Sequence, residues 1–147
     1  MADTQIAVVI SRYYLAIADG LLAGACQYLA EKNIAVDSHD IFEAPGAFEI
    51  PLIAAEVART GRYAGVICLG CVIKGDTAHF EWIGLGATVG LQQAIQETRT
   101  PIAFGILTTY TQAQAESRST VGLHNKGREA ANAVWNSVQT LRRIRKA

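Results

Sequence analysis

Four short apolar runs recur along the chain, and each is followed by a segment whose apolar residues repeat with helical spacing. The runs at 5–10, 63–69 and 102–108 are almost continuously apolar, which is typical of strands buried on both faces of a parallel sheet. The run at 35–41 instead alternates apolar and polar residues, as a strand near the edge of a sheet does. The pattern therefore predicts four strands separated by helices.

Five helices complete this pattern. They are predicted at residues 15–31, 51–60, about 78–97, 111–117 and 126–145, with a loop at 118–125. Strands that alternate with helices form a parallel sheet with right-handed crossovers and helices on both faces. The chain shows no repeat, linker or low-complexity segment, so we expect residues 1–147 to form one α/β domain. The predicted architecture is a three-layer αβα sandwich around a four-stranded parallel sheet.

Particular helical residues carry further expectations. Gly84, Gly86 and Gly90 each cost roughly 1 kcal/mol relative to alanine inside a helix, so we expect another backbone to pack closely there, as at a subunit contact. In the last helix, the spacing predicts four inward-facing residues, namely Ala130, Val134, Leu141 and Ile144.

The composition limits the classes of partner. Half of the 147 residues are hydrophobic and 18% are charged, an apolar balance for a small domain that predicts oligomerisation. The 13 basic and 13 acidic residues cancel, which argues against nucleic acid and membrane surfaces as partners. The basic residues at 142–146 close the last helix, where cations complement the helix dipole. Residues 1–5 lack the charged start of a secretion signal, and no run has the length of a membrane span, so we expect a cytoplasmic protein.

Two of the three cysteines, Cys68 and Cys71, have the spacing of a thiol-redox motif. Such a motif normally opens a helix, whose N-terminus lowers a thiol pKa, whereas Cys68 lies inside an apolar run. Residues three apart on a strand point to opposite faces of the sheet. We therefore expect Cys68 in the core, Cys71 in the wall of a pocket, Cys26 in the core, and no redox chemistry.

The segment 70–82 joins the third strand to a long helix and carries the candidate chemistry. Gly75 permits a tight turn, and Asp76 or Thr77 is expected to cap the helix. The N–H groups at such a helix start suit a phosphate or a developing oxyanion. His79 falls in the first turn, where the helix dipole disfavours the imidazolium, and a neutral histidine beside an anion pocket suits proton transfer. From these residues alone, an ordinary turn with a surface histidine fits equally well.

Other candidate residues also follow strand ends. Tyr13 comes after the first strand, and Phe48 and Glu49 lie at the turn into the second helix. In parallel α/β folds, ligands bind beyond the carboxyl ends of the strands. The sequence therefore predicts one small-molecule site at this edge of the sheet.

Four blocks of sequence resemble the 6,7-dimethyl-8-ribityllumazine synthase family. They are PGAFEIP at 45–51, GCVIKGDTAHFE at 70–81, PIAFGILTT at 101–109 and NKGREAA at 125–131. The blocks follow the order and spacing of that family and cover essentially the whole chain. The resemblance implies a flavodoxin-like fold and the penultimate step of riboflavin biosynthesis. In that step, 5-amino-6-(D-ribitylamino)uracil condenses with 3,4-dihydroxy-2-butanone 4-phosphate to give the lumazine, phosphate and water, with no cofactor and no metal ion.

The resemblance also implies which residues bind the pyrimidine and its ribityl chain. Tyr13 matches an aromatic that stacks on the pyrimidine. The segment contacting the ribityl chain and the ring is Ala47, Phe48 and Glu49, and the main chain reading the polar edge of the ring is Cys71, Val72 and Ile73. Phe104 matches an aromatic supplied by a neighbouring subunit, and Lys126 matches a lysine near the site.

The same resemblance implies how the phosphate and the protons are handled. The turn that receives the phosphate is Gly75, Asp76 and Thr77. Arg118 matches an arginine that clamps the phosphate, a task for which the planar guanidinium is well suited. His79 matches a histidine that moves protons during imine formation and phosphate loss.

Some positions depart from the family's usual residues. Tyr13 adds a hydroxyl, Cys71 replaces a common threonine and Lys74 replaces an arginine, while the loop 119–124 differs most. The family builds pentamers, and we expect a pentamer here. Because the loop 119–124 shapes subunit contacts in the family, both sixty-subunit shells and paired pentamers stay open as larger assemblies. Association with riboflavin synthase also stays open. Two functions of other classes also stay open, a binding protein that holds a flavin or lumazine without turnover and a mainly structural shell protein.

Overall fold

A computed structural model describes residues 4–146 of the chain. The expectation that no secretion signal is present rests partly on residues 1–3, which lie outside the described residues. Four parallel strands form one sheet, in the order β2–β1–β3–β4. Their bounds are Ile6–Ser11 (β1), Ile41–Ala44 (β2), Gly65–Ile73 (β3) and Ile102–Thr109 (β4). The predicted four-stranded parallel sheet, with its second strand at an edge, is confirmed.

In the part of the chain that the structure describes, five α-helices cover this sheet. Their bounds are Leu15–Glu31 (α1), Ile50–Arg59 (α2), His79–Thr98 (α3), Gln112–Ser119 (α4) and Lys126–Lys146 (α5). Helices α1, α4 and α5 pack together on one face, and α2 and α3 pack on the other. The result is the predicted three-layer sandwich, with a strand order of the flavodoxin-like type. Within residues 4–146, no helix is both long and apolar enough to cross a membrane.

Alternate residues of β3 divide between the two hydrophobic layers. Ile67, Leu69 and Cys71 join the core beneath α1 and α5, whereas Val66 and Cys68 join the core beneath α2 and α3. This alternation confirms that the two thiols point to opposite faces. Cys26 is only half-buried in α1, so its expected place in the core was wrong.

The predicted strand at 35–41 was placed too early in the chain. Ser38–Asp40 forms a single 3₁₀ turn, and the strand begins at Ile41. The Asp40 carboxylate accepts a hydrogen bond from the Asp37 N–H at 3.3 Å and another from the Tyr63 hydroxyl at 2.9 Å. Because these bonds fix a turn at Asp37–Asp40, the alternating pattern there does not become extended.

Three other boundaries differ from the expectations. Strand β3 continues to Ile73, since its pairing with β4 extends to the contact of Ile73 with Thr109. Arg118 lies in the last turn of α4, not in a loop. Ile144 is 60% exposed and does not face the core, because the buried stripe of α5 ends at Val138.

The glycines of α3 face other parts of the same subunit. A Cβ atom added to Gly86 would lie 2.7 Å from the ring of Phe48, and one added to Gly90 would lie 2.8 Å from Pro51. These glycines therefore let Phe48 and the first turn of α2 approach α3 closely within one subunit. This packing within one subunit accounts for Gly86 and Gly90, and the expectation of a subunit contact at α3 stays a prediction.

Candidate functional site

A cavity of about 580 Å³ opens at the carboxyl ends of β1 and β3, beside the turn that leads into α2. We call it the strand-end cavity. The predicted site residues that line it are Tyr13, Ala47, Phe48, Glu49, Cys71, Val72, Ile73, Gly75, Thr77 and His79. They come from three separate parts of the chain. The prediction that residues after strand ends would meet at one edge of the sheet is confirmed for this set.

Two exposed aromatic rings form the walls of the strand-end cavity. Tyr13 is 76% exposed and Phe48 is 57% exposed. The ring of Tyr14 meets the ring of Tyr13 edge-on, with centroids 5.1 Å apart. Exposed aromatic faces of this kind can stack on a flat heterocycle, and the Glu49 carboxylate beside them can accept hydrogen bonds from hydroxyl groups.

The turn between β3 and α3 lies at one side of the cavity. Thr77 Oγ1 accepts a hydrogen bond from the His79 N–H at 3.3 Å, but the N-cap residue of α3 is Ala78, so the expectation that Asp76 or Thr77 would be the cap was wrong. Asp76 is exposed, makes no cap and lies outside the cavity lining. His79 is the first residue of α3, and its ring borders the cavity. An anion in this turn would meet the positive end of the α3 dipole.

The floor of the cavity is uncharged at neutral pH. Cys71 is buried beneath it, and this burial raises the pKa of its thiol to about 11. Burial also raises the pKa of the Tyr14 hydroxyl, with a smaller contribution from Cys71. The pKa of the Cys68 thiol is raised for the same reason on the opposite face of the sheet. Protonated thiols on opposite faces are poor nucleophiles, so these two cysteines do not form a redox pair.

A second cavity of about 340 Å³ lies along β4, the edge strand, where α4 and α5 meet it. We call it the edge cavity. It contains the remaining predicted residues, Phe104, Arg118 and Lys126. Phe104 is 46% exposed, and Arg118 Nη1 donates to the Gln114 carbonyl at 3.0 Å. Lys126 Nζ lies 3.0 Å from the nearer carboxylate oxygen of Glu129. The edge cavity thus presents two cations, the Glu129 carboxylate and an aromatic ring.

Across residues 4–146, the two cavities have no lining residue in common. Arg118 and the turn residues Gly75 and Thr77, which were predicted to bind the same phosphate, therefore line different cavities of one subunit. Phe104 and Tyr13 also line different cavities.

A family model and individual relatives match the sequence over nearly its whole length. The sequence model of the 6,7-dimethyl-8-ribityllumazine synthase family matches residues 3–142. The chain is 60% identical over 141 residues to 6,7-dimethyl-8-ribityllumazine synthase 1 of Caulobacter vibrioides, covering 96% of this chain and 92% of that protein. The chain belongs to the 6,7-dimethyl-8-ribityllumazine synthase family.

More distant members of the lumazine synthase family also match over nearly their full length. The synthase of Nitratidesulfovibrio vulgaris is 41% identical over 140 residues, which cover 95% of this chain and 90% of that protein. The synthase of Deinococcus deserti is 39% identical over 142 residues, covering 97% and 91% respectively.

The structure adds residues that the sequence did not single out for the lumazine synthase site. Tyr14, Phe80 and Ile83 also line the strand-end cavity. Ile83 lies four residues after His79 in α3, so its helical spacing with His79 was the available signal for it. Tyr14 is adjacent to Tyr13, but nothing in the sequence distinguished which of the two rings faces the cavity.

Proposed function

We propose that this chain is a 6,7-dimethyl-8-ribityllumazine synthase, a transferase acting in riboflavin biosynthesis. It condenses 5-amino-6-(D-ribitylamino)uracil with 3,4-dihydroxy-2-butanone 4-phosphate and releases phosphate and water. The observation that carries this proposal is the strand-end cavity, where aromatic walls, a carboxylate, a histidine and a helix start meet in a chain of this family. The proposed activity is that of the family, and the roles below are assigned to residues by their positions in the cavity.

The pyrimidine substrate occupies the aromatic part of the strand-end cavity. Its flat ring stacks against Tyr13 and Phe48, which hold a plane without fixing its edges. The main chain at Cys71–Ile73 reads the polar edge of the ring, and Ala47 lies behind it. Glu49 accepts hydrogen bonds from the ribityl hydroxyls. The reactive amine is thereby held in front of His79.

The ketone phosphate binds with its phosphate in the turn Gly75–Thr77, at the positive end of the α3 dipole. The amine attacks the ketone carbonyl, and loss of water gives an imine. Phosphate then leaves, the product tautomerises, and the second nitrogen closes the ring with loss of water. His79 transfers the protons that these steps require. Each step exchanges protons, water or phosphate without net oxidation, so we propose a reaction without cofactor or metal ion.

The site is completed by a second copy of the chain. We propose a homo-oligomer, a pentamer in the family's manner, in which Phe104, Arg118 and Lys126 of one subunit face the strand-end cavity of its neighbour. Arg118 then clamps the phosphate and Phe104 covers the ring. In support, these three residues line a cavity that shares no lining residue with the strand-end cavity of the same subunit.

An apolar stripe on α3 also favours oligomerisation. Trp82, Leu85 and Val89 are 68%, 54% and 57% exposed, and their spacing places them on one side of the helix. Pairing of pentamers, a sixty-subunit shell, an association with riboflavin synthase and a cytoplasmic location stay predictions. We also propose that residues 1–147 act as one domain, supported by the family match over 3–142.

Absorbance in the lumazine band after mixing both substrates with the protein tests the proposed activity, once the uncatalysed rate is subtracted. We expect saturable product formation. His79→Ala should lower kcat by roughly a hundredfold or less, because positioning remains when proton transfer is lost. An unchanged kcat in His79→Ala would remove this residue from the mechanism. No rate above background in the wild type, together with tight lumazine or flavin binding, would show a binding protein instead.

A further inference from the structure

Asn125 is a polar residue with no exposed surface, at the junction of α4 and α5. It directly precedes Lys126, the first residue of α5, and follows the loop that starts after Ser119. A fully buried amide is costly unless its donors and its acceptor are satisfied. The arrangement of its partners therefore shows what the residue holds in place.

The side-chain amide of Asn125 joins three helices. The two N–H groups of its Nδ2 are shared among three carbonyl oxygens, those of Gly20 in α1 at 2.9 Å, Ser119 at 3.0 Å and Thr120 at 3.1 Å. Its Oδ1 accepts the Arg128 N–H at 3.0 Å, which caps the start of α5. One side chain thus ties the end of α4 and the start of α5 to the middle of α1.

Glycines of α1 and α5 make room for this junction. A Cβ atom on Gly24 would overlap the amide of Asn125, and one on Gly20 would overlap the Ser119 carbonyl. A Cβ atom on Gly127 would overlap the Leu21 carbonyl. The three helices therefore approach one another at the distance that the amide bonds require.

The end of α4 depends on this anchor. The helix has eight residues, of which only Ala115 and Ser119 are buried. A helix this short is marginal without tertiary support. Its last two carbonyl acceptors, at Ser119 and Thr120, receive their hydrogen bonds from Asn125. Arg118 precedes this anchored pair by one residue.

We propose that Asn125 is a positioning residue that fixes the end of α4 and the start of α5, so that Arg118 and Lys126 both face the edge cavity and bind a phosphate group there. Arg118 lies one residue before the anchored carbonyls of α4, and Lys126 lies one residue after Asn125 at the capped start of α5. Both face the edge cavity. The inference rests on the proposed function, because it assigns the phosphate of the ketone substrate to these two cations.

The test compares Asn125→Ser with Tyr28→Phe. Serine keeps an oxygen that can cap α5 but is too short to donate to three carbonyls. Tyr28→Phe removes a 2.9 Å hydrogen bond between α1 and Asn132 of α5, so it perturbs the same layer without touching α4. Gly24→Ala serves as a second variant if Asn125→Ser fails to assemble, because it displaces the amide while the asparagine stays.

For Asn125→Ser, we expect KM for the ketone phosphate to rise about tenfold, the effect of weakening one charge-assisted contact, and KM for the pyrimidine to change less than about twofold. The affinity for inorganic phosphate, measured by titration calorimetry, should fall by the same factor. Tyr28→Phe should leave both KM values and the phosphate affinity unchanged.

Equal changes in the two KM values, or a phosphate affinity that Asn125→Ser leaves intact, would overturn the inference. The same loss in Tyr28→Phe would also overturn it, since the effect would then follow from destabilisation alone. If the wild-type protein makes no lumazine, the proposed function fails. The calorimetric comparison with inorganic phosphate then decides the inference by itself, and no detectable phosphate binding by the wild type counts against it.

Discussion

Replacing Arg118 with alanine is expected to affect the binding of one substrate and not of the other. Arg118 is exposed in the last turn of α4, and one of its terminal nitrogens, Nη1, donates to the Gln114 carbonyl at 3.0 Å. A guanidinium has five N–H donors, so this contact fixes the side chain while leaving donors for a ligand. If Arg118 clamps the phosphate, Arg118→Ala should weaken binding of the ketone phosphate and leave binding of the pyrimidine nearly unchanged.

The size of the effect follows from the type of contact. A hydrogen bond to a charged group contributes about 1.5–3 kcal/mol, and about 1.4 kcal/mol corresponds to a factor of ten in affinity. KM for the ketone phosphate should therefore rise about ten- to a hundredfold, with KM for the pyrimidine within about twofold. Because the side chain is exposed, the unfolding temperature should change little.

Steady-state kinetics with each substrate varied in turn measures this difference. Arg118→Lys is the matched control, since it keeps the positive charge but loses the planar fork, and it should fall between the wild type and alanine. Inhibition by inorganic phosphate should weaken in the same order. Equal increases of both KM values, or an unchanged KM for the ketone phosphate, would refute the assignment of Arg118.

Two further predictions concern the pH dependence of stability and the shape of the cavity. The Glu31 carboxylate accepts two hydrogen bonds from Arg128, at 2.9 and 2.8 Å, and these lower its pKa below the usual value. The stabilisation from a lowered carboxyl pKa is present above the ordinary pKa and is lost as the pH falls through the folded-state pKa. Thermal unfolding at a series of pH values should therefore show Glu31→Gln less stable than the wild type at neutral pH, with the difference vanishing in acid; a difference that does not depend on pH would contradict this. Gly86→Ala should push the ring of Phe48 out of place, since the new Cβ lies 2.7 Å from it, while the alanine itself favours the helix by about 1 kcal/mol. KM for the pyrimidine should rise without a large loss of thermal stability, and an unchanged KM would mean that Phe48 does not contact this substrate.

Local sequence patterns predicted the secondary structure correctly where a segment's conformation depends only on its own residues. The helix predicted at 15–31 has those bounds in the structure, because its apolar spacing and the stop at Asn33 are both local features. Asn33 adopts a positive φ of 60°, as expected for a residue that ends a helix. The strand at 35–41 was misplaced because the Asp40 carboxylate depends on Tyr63, which is 23 residues away. No periodicity in the segment itself indicates that partner.

In the candidate site too, some positions were predictable from the sequence and others depend on contacts between distant residues. The order of the strands and the rule that ligands bind at carboxyl ends predicted that Tyr13, Phe48 and His79 would meet. The resemblance supplied Arg118 and Phe104, but it did not indicate that Arg118 would be held in a helix and would line a separate cavity along β4. That position depends on the buried amide of Asn125 and its three carbonyl partners, contacts that only the folded chain displays.

The most direct test of the proposed shared site is complementation between two impaired subunits. His79→Ala alters the strand-end cavity and Arg118→Ala alters the edge cavity, so neither homo-oligomer should form lumazine efficiently at low ketone phosphate. Co-expressed in equal amounts, the two chains should assemble at random, and about one site in four should contain both wild-type residues. The mixed oligomer should then recover up to about a quarter of the wild-type rate under those conditions. A rate no higher than the mean of the two separate variants would contradict a site shared between subunits.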